Sequence, residues 1–237
     1  DSISTNLTNC DYLKVIDCTF QYADGRPLVA PNCDYPLIEN NLFYQVDYAC
    51  LALNSNSYTL QIDGAKGPIY RRNEIHIAGA SESCRIDCRA YPNHSIVEYN
   101  YHTQTGIMQS DGATVQYPPG GCADSMNRYN WFLDLGNTGF RFDGNPAGEW
   151  GNVYRNVGAL GGTRGFRIKG DNHELYNNIA TDFTKDDINI ATDKGPDTYN
   201  GESNHNSVTR NNAANNRNLN SNHADNANYW DRFNFPG

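Results

Sequence analysis

A chain of 237 residues can bury a core as one solenoid or as two small domains, and 38% hydrophobic with 19% charged residues does not predict disorder. Its 27 acidic and 18 basic residues give a formal net charge of -9. This balance disfavours a nucleic-acid partner, because phosphate binding requires a clustered excess of Lys and Arg. No run of about 18 apolar residues predicts a membrane span.

Short segments of alternating apolar and polar residues recur along the chain, and each ends in Asn or Asp. In chain order these segments end at Asp17, Asn40, Asn73, Asn100, Asn130, Asn156, Asn177 and Asn211. The intervals between them range from 21 residues, Asn156 to Asn177, to 34 residues, Asn177 to Asn211. Helical repeats are excluded, because each unit would need about ten or more residues with a 3.6-residue period.

A second short segment follows several of these ends at a nearly constant distance. Leu51, Phe140, Phe166 and Ile188 stand 11, 10, 10 and 11 residues after Asn40, Asn130, Asn156 and Asn177. A fixed offset within a unit of variable length indicates two strands of constant register, with insertions at the corners.

We therefore predict an all-β parallel β-helix of seven to eight coils over residues 1–216, in which Leu51, Phe140, Phe166 and Ile188 stack in one parallel sheet. Asn side chains at the turns are expected to form amide ladders. Residues 217–237 are rich in Asn and aromatic residues, and they are predicted to cap the last coil or to begin a following domain.

The clearest blocks of the repeat are Arg141-Phe142-Asp143-Gly144 and the segment 169–178. They resemble the right-handed parallel β-helix repeat proteins of the pectate-lyase-like superfamily, and the resemblance covers roughly residues 10–216. It implies the fold and its right hand. It does not imply a reaction, because that superfamily includes lyases, hydrolases, phage tailspikes, adhesins and structural solenoids.

The same resemblance implies a candidate lyase site. If Phe140, Phe142, Phe166 and Ile168 point inward, strand alternation places Arg141, Asp143, Arg167 and Lys169 on one outer face. In polysaccharide lyases of this superfamily an Arg or Lys abstracts the proton beside a uronate carboxylate. Lys169 or Arg167 would then be the base, and Arg141 and His173 would bind the sugar carboxylate. The interpretation that we favour is an ion-pair ladder, with His173 anchoring a turn.

A second polar group contains Gln109-Ser110-Asp111-Gly112 with Asp143, Asp186 and Asp187. Paired carboxylates can hydrolyse glycosides or bind Ca2+, but Asp at the corners of a β-helix is more often a turn residue. We therefore predict no cofactor, with Ca2+ as the alternative, and no metal site. Trp131, Trp150 and Trp230 can stack on sugar rings, as can the tyrosines, although packing at corners is the simpler role for the tyrosines.

Seven cysteines with only two methionines fit an oxidising compartment, and no pair has the C-x2-C spacing of a zinc site. Cys10 and Cys33 stand 23 residues apart, as do Asp17 and Asn40. They are therefore predicted to occupy equivalent positions of adjacent coils and to form a disulfide. Asn6 and Asn93 begin Asn-x-Ser/Thr sequons. Together these features predict an extracellular or cell-surface glycoprotein.

We expect a non-catalytic module of a glycosylated surface assembly, such as a filament, flagellar hair, adhesin or matrix subunit. The first coil begins without an evident cap, so its strand edge is expected to be covered by a further segment. The expected partners are other chains or copies of this chain, and glycans. One alternative is a polysaccharide lyase or glycoside hydrolase acting on an acidic polysaccharide. Another is a glycan-binding module without turnover.

Overall fold

A computed structural model of the protein describes residues 5–47, 58–79, 82–88, 94–108, 111–118, 124–143, 150–191 and 207–220, without the side chains of residues 191 and 217–220. The secondary structure of these ranges is β, and the strands form three parallel sheets that stack as a β-solenoid. In the same ranges no helix is long and apolar enough to cross a membrane.

Each turn of the solenoid contributes one strand to each sheet. The first sheet contains β1 (Lys14–Ile16), β4 (Leu37–Glu39), β7 (Ile69–Arg71), β10 (Ile96–Glu98), β13 (Met126–Arg128), β16 (Asn152–Tyr154), β19 (Glu174–Tyr176) and β22 (Val208–Arg210). The second contains β2 (Thr19–Gln21), β5 (Leu42–Val46), β8 (Glu74–Ala78), β11 (Tyr101–Thr105), β14 (Trp131–Leu133), β17 (Val157–Gly161), β20 (Ile179–Phe183) and β23 (Ala213–Ala214). The third contains β3 (Leu28–Val29), β6 (Tyr58–Asp63), β9 (Glu82–Asp87), β12 (Ala113–Tyr117), β15 (Thr138–Phe142), β18 (Arg164–Ile168), β21 (Asp186–Ala191) and β24 (Arg217–Asn220).

The register predicted for the third sheet is confirmed for three of its four residues. Phe140 pairs with Phe166, and Phe166 pairs with Ile188. Leu51 lies outside the described residues, and Leu60 takes the place expected for it, paired with Cys84. The offset failed there because the corner between β5 and β6 carries a longer insertion, and the strand repeat does not fix the length of a corner.

Inward-facing side chains of the three sheets form one core. In β15, Phe140 and Phe142 are 1% and 0% exposed, as the alternation of a strand predicts. β24 pairs with β21, so the third sheet continues to Asn220, past the boundary at residue 216 that the sequence predicts. Residues 221–237 lie outside the described residues.

A ladder of buried asparagines follows the corner between the first and second sheets, as predicted. The Nδ2 of each residue donates to the Oδ1 of the next, at 2.9 to 3.2 Å. The ladder consists of Asn41, Asn73, Asn100, Asn130, Asn156, Asn178 and Asn212. The same Oδ1 atoms accept backbone N–H groups, so the ladder satisfies the polar backbone of this corner.

The predicted segment ends Asp17, Asn40, Asn177 and Asn211 are one residue too early. All four have a left-handed backbone, with φ between 53° and 57°, and the following residue occupies the ladder row. In the first coil that residue is Cys18, whose backbone N–H donates to Asn41 Oδ1 at 2.9 Å. The error has a physical cause, because Asn and Asp are also the side chains that best tolerate left-handed φ.

Candidate functional site

The four charged residues of the candidate lyase site lie on the outer face of the third sheet. Arg141 and Arg167 are register partners on β15 and β18, while Asp143 and Lys169 directly follow these strands. The face is less open than the sequence suggests, since the side chains of Arg141, Asp143 and Lys169 are only 10%, 13% and 14% exposed.

Asp143 joins these charges into a network. Its carboxylate accepts from Arg141 Nη2 at 2.6 Å, lies 3.0 Å from Lys169 Nζ, and also accepts from the amide of Gln116. Arg141 Nη1 donates to Asp111 at 3.0 Å. Burial opposes ionisation of Asp143, but the charges of Arg141 and Lys169 outweigh it and hold its pKa below the usual value.

The same network keeps Arg141 protonated. Burial alone would lower its pKa, but the charges and hydrogen bonds of Asp143 and Asp111 raise it. Removal of a proton from a substrate requires a deprotonated base. Arg141 therefore does not have the electrostatic environment of a base.

His173 lies inside the solenoid and not on this outer face. Its ring is 1% exposed and stacks on Phe142 with ring centroids 4.5 Å apart. Nδ1 accepts the backbone N–H of Gly151 at 2.9 Å, and Nε2 donates to the carbonyl of Lys169 at 2.8 Å. The imidazole thus joins two corners of neighbouring coils.

Two charged residues of the third sheet were missed by the sequence reasoning. Arg85 donates to Asp63 at 3.0 Å and lies 3.8 Å from the carboxylate of Glu82. Glu82 is 2% exposed, and its Oε2 has no hydrogen-bond partner among the described residues. Burial raises its pKa to about 7, although Arg141 and Arg85 oppose the shift. The alternation of Glu82–Asp87 was the available signal, but no Asn-anchored offset of about ten residues marked this strand.

The carboxylates of the second polar group are only partly brought together. Asp111 and Asp143 both bind Arg141, whereas Asp186 binds Arg164 at 2.9 Å on β21. Asp187 accepts the backbone N–H groups of Phe183, Asn215 and Asn216, as a turn residue does. Gln109 and Ser110 lie outside the described residues. Among the residues that are described, no three His, Cys, Asp or Glu side chains are grouped to hold a metal ion.

Cys10 and Cys33 lie side by side in adjacent coils. The backbone N–H of Cys10 donates to Cys33 Sγ at 3.2 Å. The structure carries both as free thiols, so it contains no bond between them and the disulfide stays a prediction. Of the two sequon asparagines, Asn6 is exposed and accepts from Thr8 Oγ1 at 2.7 Å. Asn93 lies outside the described residues.

Aromatic residues form a row on the outside of the first sheet and its corner. Tyr99 and Tyr129 stack with centroids 4.9 Å apart, and Tyr154 and Tyr176 stack at 4.8 Å. The face of each ring that meets its neighbour is therefore covered, which reduces the area available for stacking on a sugar. Trp131 and Trp150 are separate from this row and are 49% and 53% exposed. Trp230 lies outside the described residues.

The outer face of the second sheet carries an uncharged surface across β11, β14, β17 and β20, called the uncharged face below. Its first row contains Tyr101, Trp131, Val157 and Ile179, and its second contains Thr103, Leu133, Ala159 and Thr181. Trp131 and Ile179 are each 49% exposed, and Leu160 at the adjoining corner is 61% exposed. Such a surface can bury apolar area against a partner.

Comparison of the chain with protein-family models and with curated proteins finds no match.

Proposed function

We propose that this chain is a non-catalytic β-solenoid module of an extracellular assembly, and that the uncharged face packs against a second copy of the chain. The observation that carries the proposal is the absence of charge from all eight positions of that face, in a chain whose net charge is -9. Two copies repel each other through their net charge. A contact that brings no further acidic groups together adds least to this repulsion.

The geometry of the face supports a contact between two sheets. It is built from strands of constant register, and sheets pack face to face at about 10 Å through interdigitating side chains. Trp131 and Ile179 provide the exposed apolar area. An aromatic anchor surrounded by aliphatic residues is the usual composition at the centre of an interface.

The charged face of the third sheet gives less support to a lyase. Lys169 lies 3.0 Å from Asp143, and Asp143 and Asp111 raise the pKa of Arg141. Both groups therefore have structural partners that favour their charged forms. His173 has a corner to hold and faces away from these residues.

The finer features of the proposal come from the sequence. They are a right-handed solenoid of the pectate-lyase-like superfamily, N-glycans on Asn6 and Asn93, and an extracellular or surface location. The exposure of Asn6 and the proximity of Cys10 to Cys33 support this setting.

Sedimentation velocity of the purified chain over a range of concentrations tests the contact. We expect a concentration-dependent dimer that is lost in the Trp131→Lys/Ile179→Lys variant, because each copy would place two buried cations in the interface. Trp150→Lys is the matched control, since Trp150 is similarly exposed but lies away from the uncharged face.

A chain that stays monomeric at all concentrations, or a dimer that withstands the two lysines, contradicts the contact. The non-catalytic part has a separate test. Incubation with pectic, alginate and sulfated-galactan substrates is expected to release neither unsaturated uronates nor reducing ends. Release that is lost in Lys169→Ala would favour the lyase instead.

A further inference from the structure

A pocket opens at the corner that leads from the third sheet into the first. It has a volume of about 270 Å³ and is lined by Asp124, Trp150, Asn152, Asn172, Glu174 and Val208. These residues are called the corner pocket below. The corner pocket belongs neither to the charged face of the third sheet nor to the uncharged face of the second.

The register of the first sheet builds the pocket from two rows. Asn152, Glu174 and Val208 are register partners on β16, β19 and β22. Asp124, Trp150 and Asn172 stand two residues before Met126, Asn152 and Glu174, which are themselves partners. The two rows therefore run side by side along the solenoid axis, with about 4.8 Å between coils.

The backbone at this corner directs the first row outward. Asp124, Trp150 and Asn172 all have left-handed φ, at 53°, 60° and 59°. For an aromatic residue this conformation is unfavourable, and Trp150 is nevertheless 53% exposed. A large apolar side chain thus occupies a strained position without being buried in the core, which points to a role at the surface.

The lining combines one indole with two carboxylates and two carboxamides. The indole can cover the apolar face of a sugar ring. Planar carboxylate and amide groups can accept and donate the hydrogen bonds of its hydroxyls. Pockets for drug-sized ligands have volumes of about 300–1,000 Å³, so this one matches a smaller ligand of roughly the size of one six-membered sugar ring.

Charge selects among sugars. Asp124 and Glu174 line the pocket and would repel a uronate or sulfate group. Two cationic or titratable groups contact these carboxylates, Arg210 at 3.6 Å from Glu174 and His94 at 4.0 Å from Asp124. Neither of them lines the pocket, so neither is placed to receive an anionic substituent there.

We propose that the corner pocket binds one neutral pyranose unit of a glycan, stacked on Trp150 and hydrogen-bonded by Asp124, Asn152, Asn172 and Glu174. The pocket lies at the outside of a corner and is partly open, so the rest of the glycan can extend into solvent. This binding requires no turnover and does not depend on the uncharged face.

Saturation-transfer NMR and calorimetry with defined oligosaccharides test the proposal on the full chain. The probes are cellohexaose, mannohexaose and chitohexaose as neutral glycans, with hexagalacturonate as the acidic comparison. We expect binding of at least one neutral probe and none of hexagalacturonate. Trp150→Ala should weaken the neutral complex by about tenfold or more, while the control Trp131→Ala should leave it unchanged.

Two further variants separate binding from folding. Asn172→Gly keeps the left-handed backbone and removes one amide, so it should weaken binding with an unaltered circular dichroism spectrum. Asp124→Asn/Glu174→Gln should retain the neutral probe and admit hexagalacturonate. The proposal is overturned if no neutral probe binds, if Trp150→Ala binds as well as the parent, or if hexagalacturonate is the preferred ligand of the parent.

Discussion

His102 is a titratable side chain inside the core of the solenoid. It is 0% exposed, stacks on Phe132 at 5.5 Å, and neither of its ring nitrogens has a hydrogen-bond partner among the described residues. Burial, with a smaller contribution from His76, lowers its pKa to about 3. The folded protein therefore keeps this imidazole neutral at a cost to its stability.

Replacing His102 with Phe is expected to stabilise the protein, increasingly so as the pH falls. Between about pH 6.5 and pH 3 the unfolded chain binds a proton at this residue that the folded chain does not, so the parent loses stability as the pH falls. The advantage of His102→Phe should grow by roughly 2–3 kcal/mol between pH 7.5 and pH 4.5. Urea unfolding at the two pH values measures it.

His76→Gln is the control, because His76 lies on the surface of the same sheet, 2.8 Å from Glu74. It should not reproduce the gain at low pH. Equal dependence of the unfolding free energy on pH in His102→Phe and the parent would contradict the assignment.

Glu82 has the opposite dependence on pH. Its pKa is raised to about 7 by burial, so between about pH 4.3 and pH 7 the folded chain keeps a proton that the unfolded chain has lost. Stability at this residue therefore falls as the pH rises through that window. Relative to the parent, Glu82→Gln should gain up to about 3 kcal/mol between pH 4 and pH 8.

Chemical unfolding across this range checks the prediction for Glu82. Glu98→Gln is the matched control, because the Glu98 carboxylate is held by Arg128 Nε at 2.7 Å and its loss breaks an ion pair. We expect Glu98→Gln to lower stability at pH 8. A stability difference between Glu82→Gln and the parent that is flat with pH would argue against a proton on Glu82 in the folded state.

At the scale of the structural element, the asparagine ladder holds one corner of the solenoid together. Asn178 is 1% exposed, and its amide donates to Val153 O and Asn212 Oδ1 at 2.9 Å. Its own oxygen accepts from the backbone and the side chain of Asn156, each at 3.0 Å. Each ladder residue thus serves two neighbouring coils, so its loss leaves buried polar groups on both sides without partners.

The dipeptide Asn177-Asn178 permits a direct test of the ladder register. Asn178→Ala should lower the free energy of unfolding by about 3 kcal/mol or more, because several buried hydrogen bonds lose one partner. Asn177→Gly should cost little, because Asn177 is exposed and Gly tolerates its φ of 57°. Thermal and urea unfolding of the two variants should differ accordingly. The reverse ranking would restore the register that places Asn177 in the ladder.

At the scale of the whole molecule, stability comes from contacts between neighbouring coils, and the first coil has a described neighbour on one side only. A covalent link there would offset that weakness. Oxidation of Cys10 and Cys33 closes a loop that spans the 23-residue step, worth about 3 kcal/mol in the chain-entropy view. We expect peptide mapping without reductant to find this disulfide in protein produced by a secretory pathway.

Cys18→Ser is the control for the disulfide, because Cys18 is exposed and free in the structure and its loss should leave the peptide map unchanged. Raised melting temperature in the oxidised parent, absent in Cys33→Ser, would accompany the bond. Alkylation of Cys10 in protein isolated without reductant would contradict it.

Sequence alone determined the periodic part of this molecule. A β-helix repeats a short strand in each coil, so alternation, the Asn-containing ends and the offset from Asn130 to Phe140 were visible in one dimension. They predicted the parallel solenoid and the pairing of Phe140, Phe166 and Ile188. Corner lengths obey no period, so Leu51 was placed where Leu60 lies. Adjacent asparagines satisfy both the ladder and the left-handed turn, so Asn177 was taken for Asn178.

Only the tertiary structure decided which polar residues meet and how deeply they lie. Alternation places Arg141 and Lys169 outside the core, but their low exposure and their pairing with Asp143 depend on neighbouring coils. Glu82, His102 and the corner pocket gave no signal in the sequence, because burial and convergence arise between residues about 20 to 35 positions apart. The strand repeat fixed the scaffold, whereas stacking of unequal coils fixed the chemistry of its surfaces.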